Sequence, residues 1–278
     1  STLESKTPKY KFMCQIAHPH ADAQPQLQIA NTTVAVPPPR GNKNVQLTLR
    51  YALLLSATSS LLTQSPLSYY IHDLKHDSNL AVGLVIGAQG TVALIVALPS
   101  AVAADYCGRQ RMLRAAAAVG LLALAFHATC LFYLPGRVSN DALFKSFIGV
   151  SSTWGVFMGM HSAPLEALFG DSVESGRRSR LYVRRSALRT VGSALGPLLS
   201  IPVFALSGDQ WTPDELTRVM AVGIFIGLLP CACLFFFRDE FALGAASESL
   251  AETSRCRAER EHGCGGGGTA PLCAAAAL

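Results

Sequence analysis

The stretch Leu80–Ala104 contains no ionisable side chain. A helix rises 1.5 Å per residue, so about 20 apolar residues cross the ~30 Å hydrocarbon layer of a bilayer. A surface helix of a soluble domain keeps a polar face, and this stretch has almost none. Five further apolar runs have comparable character: Tyr51–Tyr70, charge-free but rich in hydroxyls; Ala115–Leu134, interrupted by His127; Ser146–Leu165, interrupted by His161; Thr190–Ser207, whose helix is expected to start earlier, near Leu181; and Val219–Phe237. Only 15% of the chain is charged, against about a quarter in soluble domains, and the deficit is concentrated in these runs. The expected fold is therefore an all-α membrane protein, a bundle of six transmembrane helices over residues 47–240. Residues 1–46, polar with Lys6, Lys9, Lys11 and the Pro37–Pro39 triplet, read as a disordered tail. Residues 241–278 read as a second tail, with a short polar helix over 243–262 and low-complexity Gly265–Gly268 and Ala274–Ala277.

The connections carry charge in alternation. Arg109, Arg111 and Arg114 lie between the second and third runs, Arg177, Arg178, Arg180, Arg184 and Arg185 between the fourth and fifth, and Arg40, Lys43 and Arg50 before the first. The other connections hold Lys75, then Arg137 and Lys145, then Arg218. Lys and Arg in short loops mark the cytoplasmic side, so both tails are expected in the cytoplasm. The sequon at Asn31-Thr32-Thr33 would then face away from the glycosylation machinery. The basic residues are not grouped with aromatics on a polar segment, which gives no support to nucleic-acid binding. The eight cysteines have no CxxC spacing and no zinc site is expected; Cys231 and Cys233 read as small buried residues. The first forty residues lack the apolar core of a signal peptide. The sequence does not begin with Met and is read as a fragment or processed product. His127 and His161 have no HExxH or GxSxG context, so no enzyme, catalytic residue or cofactor is expected. No P-loop is present to couple ATP to movement.

Asp105-Tyr106-Cys107-Gly108-Arg109-Gln110-Arg111 follows the second run. Asp105 ends one span, Gly108 permits a sharp turn and basic residues open the next helix. Asp105 is expected to accept hydrogen bonds at a neighbouring helix N-terminus, where the dipole favours an anion. Asp171, at the end of the fourth run, is the expected partner of the arginines. Ordinary positive-inside topology would also account for these arginines. Gly83/Gly87, Gly155/Gly159 and Gly192/Gly196 have the four-residue spacing that lets helix backbones approach. Pro197 lacks an N–H and is expected to kink its helix. Glu166 and Arg189, near one end of runs four and five, are expected to pair. His161 fits either a packed, hydrogen-bonded histidine or a pathway group, since ionisable groups inside spans are often functional; His127 is a weaker instance.

This constellation resembles the major facilitator superfamily of secondary transporters. Its loop signature after the second helix reads G-x-L-A-D-R-x-G-R-K. Ala104, Asp105, Gly108 and Arg109 match it, whereas Ala101, Ala103, Tyr106 and Gln110 depart from it. Gly192-Ser-Ala-Leu-Gly196-Pro197 is similar to the G-x-x-x-G-P core of the fifth-helix antiporter motif, without its following glycines. Gly176-Arg177-Arg178-Ser179-Arg180 resembles the basic loop before that helix. Ser151 stands where many members carry a fourth-helix Arg. The resemblance covers about residues 47–240 and implies one six-helix half of a transporter that moves a small solute by alternating access. It implies a small-molecule substrate, a coupling ion, the lipid bilayer, and a missing C-terminal half or a second copy as partners. Asp105, Gly108, Arg109, Arg111, Asp171 and Arg178 would form the gating loop. The first and fourth helices line the cavity in this family, so Ser60, Thr63 and Gln64 on one side and Ser152, Trp154 and His161 on the other are the implied substrate contacts. For the hydroxyls, bonding to their own helix backbone is the competing reading. A truncated, non-transporting regulatory or scaffolding membrane protein is the alternative function.

Overall fold

The structure is a computed structural model that describes residues 42–173, 177–208 and 210–242. The tail features assigned to 1–41 and 243–278, and Gly176, lie outside the described residues. Helix α1 spans Lys43–Leu62, α2 Ser65–Leu74, α3 Asn79–Cys107, α4 Arg109–Phe132, α5 Asn140–Asp171, α6 Arg178–Ser207 and α7 Pro213–Phe235, followed by a 3-10 turn at Asp239–Phe241. Among the described residues there is no strand.

Starts follow local capping chemistry. Ser78 and Ser139 hydroxyls accept from the N–H of Ala81 and Ala142, at 3.3 Å each. Thr212 and Glu215 form a reciprocal capping box at the head of α7. Gly108 closes α3 and opens α4 at φ +91°, a region that costs a side chain steric strain. The Lys75 ammonium donates to Asp141 at 2.6 Å, joining the α2–α3 connection to the head of α5. That bond and its charge hold the Asp141 carboxyl below the usual carboxylate range.

Several boundaries differ from the sequence expectation; α4, α5 and α7 each begin six residues before their apolar runs, and α5 also ends six residues later. The first run is two helices: Gln64 leaves helical geometry (φ −91°, ψ −115°) and Pro66 sits in the first turn of α2. Pro66 has no N–H to give Leu62, and its ring disfavours continuation through Ser65. Helix α1 also begins at Lys43, so residues 43–46 belong to the bundle and not to the tail. Helix α6 begins at Arg178, so most of the expected basic loop is helical; Arg is a good helix former and no breaker interrupts it.

Four helices, α3, α4, α6 and α7, are long and apolar enough to cross a membrane. By that measure α1 and α5 are not, since both carry several Ser and Thr and charged ends. The main packing pairs are α3 with α5, α5 with α4, α4 with α7, α7 with α1, and α1 with α6. This order forms an arc whose two ends are α3 and α6. These end helices bury only 11% and 17% of their apolar windows, against 44% and 39% for α4 and α7. Their outer faces, including Leu94, Leu98, Ile201 and Leu206, are exposed. The core within the arc holds Tyr51, Leu124, Phe147, Trp154, Phe157 and Met220.

Glycine decides two of the close crossings. A Cβ on Gly155 would collide with the Gln89 carbonyl, and one on Gly159 would lie 2.6 Å from the Ala93 carbonyl oxygen, so α5 packs backbone to backbone on α3. Gly192 and Gly196 stand in the same way against Leu53 and Ser60 of α1. Gly83 and Gly87 meet nothing within 4 Å. Their spacing alone does not make a contact, because α3 turns that face away from the arc.

Candidate solute cavity

The gap between the two ends of the arc is a cavity of about 530 Å³. Its wall draws on α1 and the break after it (Tyr51, Ser56, Ser59, Thr63, Gln64), α3 (Ile86, Gln89, Ala93), α5 (Met158, His161, Ser162, Glu166) and α6 (Arg185, Arg189, Ser193). Helices α4 and α7 contribute no lining residue. The α1–α2 break thus opens onto the cavity through Thr63 and Gln64.

Three of the six implied substrate contacts, Thr63, Gln64 and His161, line this space. His161 is buried, its Nδ1–H donating to the Phe157 carbonyl at 2.8 Å, and its ring lies edge-on to Tyr51 at 5.5 Å. Neutral imidazole with Nδ1 as donor leaves Nε2 as an acceptor. Thr63 donates to its own helix at Ser59, 3.0 Å away.

Ser60, Ser152 and Trp154 do not line the cavity. Ser60 donates to the Ser193 carbonyl of α6 at 2.9 Å. That carbonyl is the one Pro197 leaves without its i+4 donor, so Ser60 fills a bond the proline removed. Pro197 itself lies inside a helix that continues to Ser207. Ser152 donates to Ile148 of its own helix at 2.8 Å. Trp154 is buried against Phe157, ring centroids 5.0 Å apart, with its Nε1 donor unpaired. His127 is likewise buried, edge-on to Phe147, and outside the cavity. Sequence reasoning missed Tyr51, Gln89 and Arg185. Gln89 had a readable signal, as an amide inside an otherwise apolar charge-free run; Tyr51 and Arg185 had none. Glu166 pairs with Arg185 at 2.5 Å, not with Arg189: Arg185, one turn nearer the start of α6, is the guanidinium level with it.

One end of the bundle is laced by polar ties. Arg109 donates to the Asp171 carboxylate, linking the α3–α4 turn to the end of α5. Asp105 is exposed and makes no hydrogen bond or ion pair among the described residues; the carboxylate at the head of α4 is Asp239. Asp239 accepts from the Gln110 N–H at 3.1 Å, and its own N–H donates to the Gln110 side chain at 3.4 Å. An anion there faces the positive end of the α4 dipole. Asp239 prevails because the chain after α7 folds back over the turn, which local sequence around Asp105 does not reveal. Asn44 adds to this lacing by donating to the Arg238 carbonyl at 2.8 Å and to Ser172 at 3.3 Å. Arg111 and Arg178 remain exposed at the same end.

Comparison with curated proteins and with solved structures gives no match. The family model described as Major Facilitator Superfamily matches residues 51–269. Proteins of this family are integral membrane transporters of small molecules. The helical arc, its cavity and that match over most of the sequence agree: this chain belongs to the Major Facilitator Superfamily.

Proposed function

We propose that this chain forms one six-span half of a secondary transporter, with both of its ends in the cytoplasm, and that its cavity is the half-site through which a small solute passes by alternating access. The observation that carries the reading is the cavity walled by α1, α3, α5 and α6, in which polar side chains stand among apolar ones. In this reading α1 with α2 makes the first span, and α3 to α7 make the other five. A second bundle, from further chain or from a second copy, closes the open side between α3 and α6, where apolar side chains stand uncovered. The rocking of two bundles about a midplane site then exposes the solute to each side in turn. The tie from Arg109 to Asp171 and the Gln110–Asp239 pair act as the cytoplasmic latch, with Asp105, Gly108, Arg111 and Arg178 around it. The movement draws on an ion gradient or on the solute's own gradient.

The test is uptake into proteoliposomes of a labelled panel of sugars, amino acids, carboxylates and nucleosides. Uptake of at least one solute is expected, and Ser162→Trp, which fills the cavity from α5, should reduce it to the protein-free level. Uptake that survives Ser162→Trp unchanged, or no uptake of any solute, would count against the reading.

A further inference from the structure

The cavity wall is rich in donors and unequal in charge, and this bears on what the proposed solute site accepts. Arg185 and Arg189 bring two guanidinium groups to the wall, while Glu166 is its one carboxylate. That carboxylate is already engaged by Arg185 Nη1. The remaining face of the Arg185 guanidinium lies 5.3 Å from the Phe169 ring centroid. Its Nε–H is buried with no acceptor. Arg189, the next turn along α6, makes no ion pair among the described residues. From α1, the Tyr51 hydroxyl is fully enclosed, 1% exposed, and also lacks a partner. Two buried polar groups from different helices are thus left unpaired on one cavity wall, beside an exposed guanidinium that has no counter-ion among the described residues. A buried donor left unpaired costs about 1–3 kcal/mol, whereas the Arg189 guanidinium is exposed and open to a ligand in the gap. All three groups suit one kind of ligand, an oxyanion that accepts hydrogen bonds and cancels a positive charge. Guanidinium is suited to it because its planar donors match the two oxygens of a carboxylate or phosphate.

We propose that the cavity takes a small soluble organic anion, a carboxylate or phosphate ester, held by Arg189 as its charge anchor and hydrogen-bonded by Arg185 Nε–H and the Tyr51 hydroxyl. The inference rests on the cavity being the solute site. Gln89, farther along the wall on α3, contacts the uncharged part of the molecule. Glu166 is the positioning group that keeps Arg185 in place.

The experiment uses the protein in phosphatidylcholine nanodiscs at constant ionic strength. The probes are citrate, 2-oxoglutarate and glucose 6-phosphate, set against glucose and choline, with thermal unfolding and calorimetric titration as readouts. At least one of the three anions should bind, and neither glucose nor choline should. Arg189→Gln should weaken anion binding about tenfold or more, about 1.4 kcal/mol. Arg189→Lys should retain part of it, and Arg137→Gln, far from the cavity, should leave it unchanged. Tyr51→Phe gives a second reading should Arg189→Gln fail to fold, with a weakening of about threefold expected. Binding of glucose or choline in place of the anions would overturn the inference. So would anion binding indifferent to Arg189→Gln and Tyr51→Phe, or the absence of binding by all three anions. A site filled only when phosphatidylglycerol is added would also overturn it, as a lipid headgroup site. Ser162→Trp separates the two levels. If it blocks choline or glucose, the cavity remains the solute site and only the anion assignment falls; if it blocks no bound probe, the cavity reading falls as well.

Discussion

Ser60 shows how a residue's role is set by its neighbours. Its sequence context, a hydroxyl among hydroxyls in an apolar run, reads equally as a solute contact or as a group bonded to its own helix. The structure does neither: the hydroxyl supplies the donor that Pro197 withholds from the Ser193 carbonyl. Ser60→Ala should therefore lower thermal stability in detergent by about 1 kcal/mol, the usual scale for a hydrogen bond between helices in membranes, while leaving solute affinity close to wild type. A fall in affinity with unchanged stability would place Ser60 in the solute path instead. His161 is a related case. One spacing rule, i to i−4, gives its Nδ1 a backbone acceptor in Phe157, yet its position on the cavity wall depends on how α5 is rotated against α1. Asp239 and Asn44, which tie the loop end of the bundle, lie far in sequence from what they bind, by 129 and 194 residues. No local pattern announces such a pair.

Helix existence was the most legible feature of the sequence, and helix partners were the least. Lengths and apolar character placed the ends of α3 within three residues and those of α4 and α7 within six, because burying a backbone in lipid leaves a helix as the only local solution. The first run is divided at Gln64, where Pro66 ends one helix and opens another. The three glycine pairs looked equivalent by spacing, but only two lie at helix crossings. The difference is rotation about the helix axis, to which spacing is blind. Gly155→Leu should disrupt the α3–α5 contact, lowering the unfolding temperature of the purified protein markedly or preventing its recovery. Gly87→Leu should leave the unfolding temperature within about a degree of wild type, since surface changes away from packed features stay within about 0.5 kcal/mol. Equal effects of the two substitutions would show that the crossing is not where the structure has it.

At the scale of the molecule, the placement of arginines underlies the orientation proposed for the bundle. Cysteines placed one at a time at Arg111 and Arg178 should react with an impermeant thiol reagent only from the cytoplasmic side in sealed vesicles, and one at Val138 only from the other side, in a background cleared of native cysteines. Labelling of Arg111 and Val138 positions from the same side would refute the proposed orientation. The sequence by itself determined that this is a helical membrane protein, which family it resembles and which ends carry positive charge. Each of these depends on properties summed along the chain, such as apolar length and the count of arginines per loop. Only the tertiary structure decided that α3 and α6 end an open arc, that the space between them carries Arg185, Arg189 and Tyr51, and that Asp239 rather than Asp105 meets the head of α4. These depend on helix rotation and on contacts between distant segments, where many small packing terms compete and no local signal fixes the outcome.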